Sequence, residues 1–509
     1  MSSRIKNVVL LQPRSSGGNF EYVAIPRQGM LFLSSALRDH QGPFLYDRTI
    51  WFEDRSGRID PDKDLDGVDL LLLTALVNET PRAYEIATLA RKFHPNIKIL
   101  GGGPQMGPLP AEAFERAGLD VVVQREAEDI IGDLCDLLLT LDGDDLTREL
   151  HKLDGIAFVD EGHLIQKPFR RVIDPDLVEL PDFASIRGLT PANPMAAGVL
   201  ETSRGCTESC TYCEVIQQFV GYRRIKPETE LKRLHQLMQM TEDGLIHRSP
   251  FDGRFPVFIS DDLHSPPRRA IKFRDERLDR ARNWRSSLLA EGIDPEKQFF
   301  FISQNRAELG SDPEMMEAFW NAGMRMLYLG VESSSAENLK LVNKRQDPDQ
   351  MEKDLTKLND YGYQVVAMTI IGLPYDNEDS IMDLAKWVTQ KHISRFQTAN
   401  LLTPLPATIN WPTVANGDEN LQGLKLLNHQ GELLNGTGIP VKGGELPPYE
   451  WYTGRQFVHY DRRWNLEESR AIFQRYTARL HPIDKVYERI FRSMRHRSEN
   501  TGEAVPVRV

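Results

Sequence analysis

Along the first third of the chain, short apolar runs alternate with longer stretches of helical spacing. Strand candidates fall at 7–12, 42–46, 68–74, 97–101 and 120–124, with amphipathic stretches such as 27–39 and 81–93 between them. That alternation predicts an α/β unit with a doubly wound parallel sheet over 1–148, whose loops at the C-terminal strand ends form a crevice suited to a flat cofactor. From 149 to 195 the pattern changes to a connector. Gly155-Ile-Ala-Phe-Val, Asp160-Glu-Gly and His163-Leu-Ile-Gln read as a hairpin, and Pro175, Pro181, Pro191 and Pro194 mark an extended crossing segment. Between 196 and 415 six further strand candidates, 195–200, 255–260, 298–303, 324–332, 365–371 and 396–403, again alternate with helices. A small, mostly helical C-terminal domain is expected over 416–509, with helical spacing at 466–480. Trp451, Tyr452 and Trp464 could line a pocket there, but such residues more often belong to a core and receive no catalytic role.

A chain of 509 residues is long enough for about three domains. Its 62 Lys and Arg against 74 Asp and Glu give a net charge of −12, and the basic residues are dispersed, which argues against a nucleic-acid partner. The apolar runs at 7–12 and 68–76 are too short for a signal peptide or a membrane span. Four cysteines in so long a chain do not make a disulfide framework.

Three of those cysteines carry the chemistry. Glu201-Thr-Ser-Arg-Gly-Cys206-Thr-Glu-Ser-Cys210-Thr-Tyr-Cys213 places thiols at the spacing C-x₃-C-x₂-C directly after the run at 195–200. Three thiolates hold three irons of a cubane and leave the fourth open to chelate S-adenosylmethionine and pass it an electron. Zinc normally takes four ligands, and the remaining cysteine, Cys135, lies in the apolar helical pattern Asp133-Leu-Cys-Asp-Leu-Leu-Leu, where a core role is expected.

At this motif the chain resembles the radical SAM superfamily. The resemblance implies a 4Fe-4S cluster on Cys206, Cys210 and Cys213 and a partial (β/α)₆ barrel of TIM type with its reactive groups at the C-terminal strand ends. Tyr212 would shield a cluster face, and Gly205 would let the loop bend. For S-adenosylmethionine it implies Ser260, Asp261 and Asp262 at the end of the second strand, where the family holds the methionine amino group, and Ser303 at the end of the third. Glu332, in a Gly-x-Glu-Ser pattern, would accept from ribose hydroxyls, or else pair with Lys344 or Arg345; Gly372 would let adenine lie against backbone. Ala407 stands where the family commonly has glycine. An oxygen-sensitive cluster implies a reducing compartment, the cytoplasm by default, and a reductant such as flavodoxin or ferredoxin.

The first unit resembles the cobalamin-binding-like domain that precedes many radical SAM domains, through Ile97-Lys-Ile-Leu-Gly-Gly-Gly-Pro104 and Asp120-Val-Val-Val-Gln-Arg-Glu126-Ala-Glu128. By that resemblance Thr74, Gly101, Gly102, Gly103, Gln124 and Glu126 are the cobalamin candidates. One departure stands out. Where cobalt-ligating members carry Asp-x-His-x-x-Gly, this chain reads Pro13-Arg-Ser-Ser-Gly-Gly-Asn19. Either cobalamin binds without a protein ligand to cobalt, or the domain has kept its shape and lost the cofactor. Arg14 is then either beneath the cobalt face or a solvated loop residue.

The leading expectation is cobalamin-dependent methylation of an unactivated carbon in a small-molecule substrate, by way of a 5′-deoxyadenosyl radical. The rival within enzymes is radical cyclisation, rearrangement or oxidation without methyl transfer. A non-catalytic iron-sulfur sensor would not need the nucleotide-site residues at successive strand ends, and a methylthiotransferase would need three more thiols than Cys135 provides.

Overall fold

The computed structural model describes residues 4–14, 26–77, 79–169, 171–249, 252–260, 271–402, 405, 406 and 408, with 425–426, 459–460 and 466–481. Strands β1 (Ile5–Gln12), β2 (Leu45–Phe52), β3 (Leu70–Thr74), β4 (Lys98–Gly102) and β5 (Val121–Val123) form a parallel sheet in the order 2-1-3-4-5. Helices cover both faces, so alternate residues of β1 enter different cores: Val8 and Leu10 on one side, Val9 and Leu11 on the other, all at most 6% exposed. This is why β1 reads as an unbroken apolar run.

The second strand differs from expectation. It runs not over 42–46 but over Leu45–Phe52, and all eight of its residues pair with β1, Ile5 with Leu45 through Gln12 with Phe52. As the edge strand it tolerates Asp47, Arg48 and Thr49 in mid-run, and these polar residues interrupt the hydrophobic signal. The expected hairpin forms as β6 (Ile156–Asp160) and β7 (His163–Gln166), turning through Glu161 and Gly162, both at positive φ as a primed two-residue turn requires. It is no free connector: β6 pairs antiparallel with β5 and extends the first sheet to seven strands.

The second unit begins with β8 (Gly198–Glu201), followed by a short antiparallel ribbon, β9 (Ser203–Arg204) with β10 (Arg223–Arg224). Strands β11 (Phe255–Ser260), β12 (Phe299–Asn305), β13 (Met324–Glu332), β14 (Gln364–Ile371) and β15 (Phe396–Leu401) then follow β8 in one six-stranded parallel sheet, each beside its predecessor. This sequential parallel order is the expected partial barrel. Its helix-facing layer includes Phe301, Leu327 and Val365, while Phe300, Ile302, Met326, Val366 and Phe396 fill the lumen with Phe258 and Tyr328 against them. The helix Leu466–Thr477 packs on the helix Glu378–Val388, and buried Tyr476 donates to Thr369 Oγ1 at 2.9 Å. Trp451, Tyr452 and Trp464 lie outside the described residues. Among the described residues no helix is long and apolar enough to cross a membrane.

Candidate functional site

The cysteine loop leaves β9 at Gly205, whose φ is +81° and whose missing Cβ would lie 1.9 Å from the Gly221 carbonyl oxygen, so only glycine fits. Burial pushes the thiols of Cys206 and Cys213 up, that of Cys213 to about 12, while Arg306 acts on Cys206 and Lys344 on Cys213 in the opposite sense. Without a metal these sulfurs stay protonated. A donor set of three soft thiols that a cation must deprotonate, with two guanidinium and ammonium charges close by, fits an anionic iron-sulfur cluster. Cys135 lies fully buried in the helix Ile131–Thr140, its thiol pushed up by burial, and belongs to the core.

A segment between two barrel helices grips this loop. Val342 O accepts from Thr211 N at 3.1 Å, Asn343 Nδ2 donates to Ser209 O and Oγ at 2.8 Å, and Arg306 Nη2 donates to Lys344 O at 2.9 Å. Asn343 and Arg345 both take positive φ, 55° and 56°, to make that turn. Glu332, at the end of β13, also sits at positive φ, 62°, just past a register shift against β14. A non-glycine residue held there is a strained position of the kind that accompanies function. Its Oε1 accepts from Tyr212 Oη at 2.8 Å and from Lys344 Nζ at 2.9 Å. Burial works against the Lys344 charge, but Glu332 and Cys210 together more than offset it; burial and Glu332 keep the proton on Tyr212. Glu332 is therefore an ion-pair partner, of Lys344 and not of Arg345, and it faces the cluster loop as well. Gly330 leaves room for this group, since a Cβ there would come within 2.5 Å of both Glu332 Oε1 and Lys344 Nζ.

The other expected nucleotide-site residues are placed unevenly. Gly372, at φ +84°, donates its N–H to Asp376 Oδ2 at 2.9 Å, and the space where its Cβ would be is open to 4 Å, room for a planar group. Ser303 is fully buried, on the helix-facing side with Phe301, and its hydroxyl accepts from Asn305 Nδ2. Gln304, one residue on, has the lumen-facing parity. Ser260 closes β11, while Asp261 and Asp262 lie outside the described residues.

A cavity of about 600 Å³ joins the two units. Its first wall is made by the strand ends Leu72–Leu76, Leu100–Pro104 and Val123, and its second by Val199, Glu201, Glu214, Val215 and Phe258, so it opens from the glycine loop toward the cluster loop and the barrel lumen. Thr74, Gly101, Gly102, Gly103 and Glu126 all line it; Gln124 does not. The glycines fit a bound cofactor for different reasons. A Cβ on Gly101 would strike Leu119 Cδ1 at 2.5 Å, so this glycine serves packing. Gly103 needs its positive φ of 82°. Gly102 alone would carry a Cβ in ordinary contact, 3.4 Å from Val123 O, and its bareness leaves the cavity wall smooth. Among the described residues none that lines the cavity is a histidine. Arg14 is solvated as the blander alternative held, its side chain 65% exposed beside Asp54, and Arg27 lines the cavity instead, bonded to buried Glu79 at 3.0 Å. Burial pushes the Glu214 carboxyl up to about 7.

Sequence reasoning missed Lys344 as a cluster-loop neighbour, the Asn343 clamp, and the charges gathered around Arg204. The Arg204 group had a signal, charged residues beside an apolar strand, which becomes informative only once the partners are known; Asn343 and Lys344, in a turn between two helices, had none.

Residues 200–388 match the family model of the radical SAM superfamily. The chain is 24% identical over 395 residues to an uncharacterised methyltransferase of Pyrococcus horikoshii, covering 76% of this chain and 78% of the relative. It aligns with a TM-score of 0.66 to TsrM of Kitasatospora setae, a radical S-adenosylmethionine methyltransferase solved with cobalamin and a [4Fe-4S] cluster, at 12% identity over 95% of this chain and 90% of that one. With OxsB, a cobalamin-dependent S-adenosylmethionine radical enzyme solved with aqua-cobalamin, the TM-score is 0.60 at 19% identity, over 82% of this chain and 56% of that one. At such identities the likeness establishes the fold. The chain thus carries a radical SAM domain at 200–388, and its cysteine-bearing barrel is joined to a parallel-sheet domain in the two-part fold of these cobalamin-bound structures.

Proposed function

We propose that this enzyme methylates an unactivated carbon of a small-molecule substrate, with a 4Fe-4S cluster on Cys206, Cys210 and Cys213 and cobalamin in the crevice beside Thr74, Gly101, Gly102 and Gly103. The observation that carries the reading is the single cavity running from the glycine loop to Glu214 and Val215, immediately after the last cluster cysteine, and to Phe258 at the barrel lumen. A vacant relic domain would have no reason to keep such a passage open. When bound, the cluster and S-adenosylmethionine supply a carbon-centred oxidant, and cobalamin supplies a methyl group.

The residues of the chain have defined tasks in this reading. Tyr212 and Lys344 hold the Glu332 carboxylate at the strand end, where it can accept from ribose hydroxyls through the oxygen they leave free. Gly372 offers bare backbone to adenine, with Asp376 fixing its N–H. Apolar Leu72, Leu73, Leu100, Val123 and Val199 keep water from the cavity in which a radical must survive. None of the described residues in the wall is a histidine, so none of them would offer cobalt an imidazole.

The test is anaerobic reconstitution with iron, sulfide and hydroxocobalamin, followed by absorption spectra and incubation with S-adenosylmethionine and a reductant. Retained cobalamin and cobalamin-dependent formation of S-adenosylhomocysteine are expected, since methyl transfer leaves that product. If 5′-deoxyadenosine forms while cobalamin is not retained, radical cyclisation, rearrangement or oxidation takes the place of methylation.

A further inference from the structure

Six charged side chains meet where the first domain touches the cluster loop. Arg204, 3% exposed and two residues before Cys206, donates from Nε to Glu201 Oε1 at 2.8 Å and from Nη2 to Glu201 Oε2 at 3.3 Å. Its Nη1 reaches across to the first domain, 2.9 Å from Glu126 Oε1 and 2.8 Å from Glu128 Oε1. Arg223, beside it in the ribbon, donates to the other Glu126 oxygen at 2.7 Å. Arg233, on the first barrel helix, lies 3.5 Å from Glu201 Oε2 and donates to Val178 O at 2.6 Å in the crossing segment. Both Arg204 and Arg233 lie over the ring of Phe32, in the helix that borders the cavity.

Stability does not explain this group. Three carboxylates and three guanidinium ions taken out of water are costly, and apolar residues of the same volume generally serve a core as well or better. Geometry does explain it. A guanidinium is a rigid planar fork, and Arg204 can satisfy Glu201 along one edge and Glu126 with Glu128 at its far nitrogen in one relative placement of the two domains only. Glu126, Glu128, Glu201 and Arg204 all line the cavity, so the contact is made at the passage between the glycine loop and the cysteines.

We propose that Arg204 is a positioning residue that fixes the register of the cofactor crevice against the cluster loop. The use of that register for group transfer rests on the proposed function; the register itself does not. Two reactive centres held on different domains must stay in line, and a displacement of about 1 Å can cost roughly a hundredfold in rate.

The test is a distance. Nitroxides at Asp144→Cys, on the exposed side of the helix Gly143–Leu150, and at Lys353→Cys, on the helix Pro348–Tyr361, report the placement of one domain against the other by pulsed dipolar electron paramagnetic resonance. The protein carries its reconstituted cluster, which covers the native loop thiols. One narrow distance is expected with Arg204 intact. Arg204→Lys keeps the charge but loses the fork, and should at least double the width of the distribution or split it while the cluster absorption persists. Glu126→Gln, which keeps an acceptor and removes one charge, should broaden it by a smaller factor, and it decides the matter alone if the Arg204 variant does not fold. Unchanged mean and width in whichever of these variants fold overturns the proposal. Failure of the unsubstituted protein to retain added hydroxocobalamin would instead remove the methylase reading and leave the distance result standing.

Discussion

The three consecutive glycines at the end of β4 allow a test that separates a glycine kept for the backbone from one kept for a ligand. Gly103 has φ +82°, and a Cβ there would lie 2.3 Å from Thr74 Oγ1. In Gly103→Ala the left-handed backbone costs about 1–2 kcal/mol, crowding of Thr74 about 1–3 kcal/mol, and the stiffer unfolded chain returns about 0.4–1 kcal/mol. The net loss is roughly 2–4 kcal/mol, a drop of roughly 5–15 °C in the melting transition of a domain this size. Thr74→Ala removes the crowding partner, so in that background the same substitution should cost only about 1 kcal/mol, leaving a coupling of roughly 1–3 kcal/mol. Gly102 is the contrast. Its φ of −169° suits any residue and its Cβ site is 3.4 Å from Val123 O, so Gly102→Ala should stay within about 0.5 kcal/mol of the parent while lowering retention of hydroxocobalamin. Differential scanning calorimetry and gel filtration after cobalamin loading read the two effects separately. A Gly103→Ala protein that melts where the parent does, or a penalty that survives Thr74→Ala undiminished, would refute the reasoning.

Further expectations concern the thiols, the strand-end carboxylate, the cobalt environment and a buried acid. Replacing Cys206, Cys210 or Cys213 by Ala should abolish the 4Fe-4S absorption and 5′-deoxyadenosine formation, and Cys135→Ala should do neither; a full cluster in the Cys210 variant contradicts the assignment. Glu332→Gln should bind S-adenosylmethionine about ten- to a hundredfold more weakly by isothermal titration, the worth of one charge-assisted hydrogen bond of about 1.5–3 kcal/mol; unchanged binding returns the residue to a purely structural pairing with Lys344. Because no histidine stands among the described residues that line the cavity, bound Co(II) should show no nitrogen superhyperfine splitting from a protein ligand, and a triplet pattern from the protein would exclude the site. Burial pushes the Glu112 carboxyl from 4.5 up to about 7 against its bond from Tyr84, so the folded state holds a proton that the unfolded chain releases. Stability therefore falls as pH rises from 4.5 to 7, by roughly 3 kcal/mol in all. Glu112→Gln should be near neutral at pH 4.5 and more stable than the parent by about 2–3 kcal/mol at pH 8 in urea titrations, and an equal effect at both pH values would count against a buried proton.

What the sequence determined alone was local. The apolar runs placed ten of the eleven parallel strands within a few residues, because a strand buried on both faces must be apolar along its length, and the cysteine spacing suggested its chemistry because all three thiols share one loop. Thr74, the glycine loop and Glu126 could be picked out because each stands at a strand's C-terminal end, and those ends converge in a parallel sheet. Tertiary structure decided what depends on partners and on parity. The eight-residue pairing of β2 with β1 outweighs the polar residues that hid the strand. Which of Ser303 and Gln304 faces inward could not be read, because the lumen and the helix-facing layer of β12 are equally apolar, Phe300 and Ile302 on one side and Phe299 and Phe301 on the other, so no alternation shows it. Glu332 meets Tyr212 from 120 positions away, and Arg204 meets Glu126 from 78. Charges that close a buried network across a domain boundary are balanced only in the folded state, and no window along the chain contains both halves of the balance.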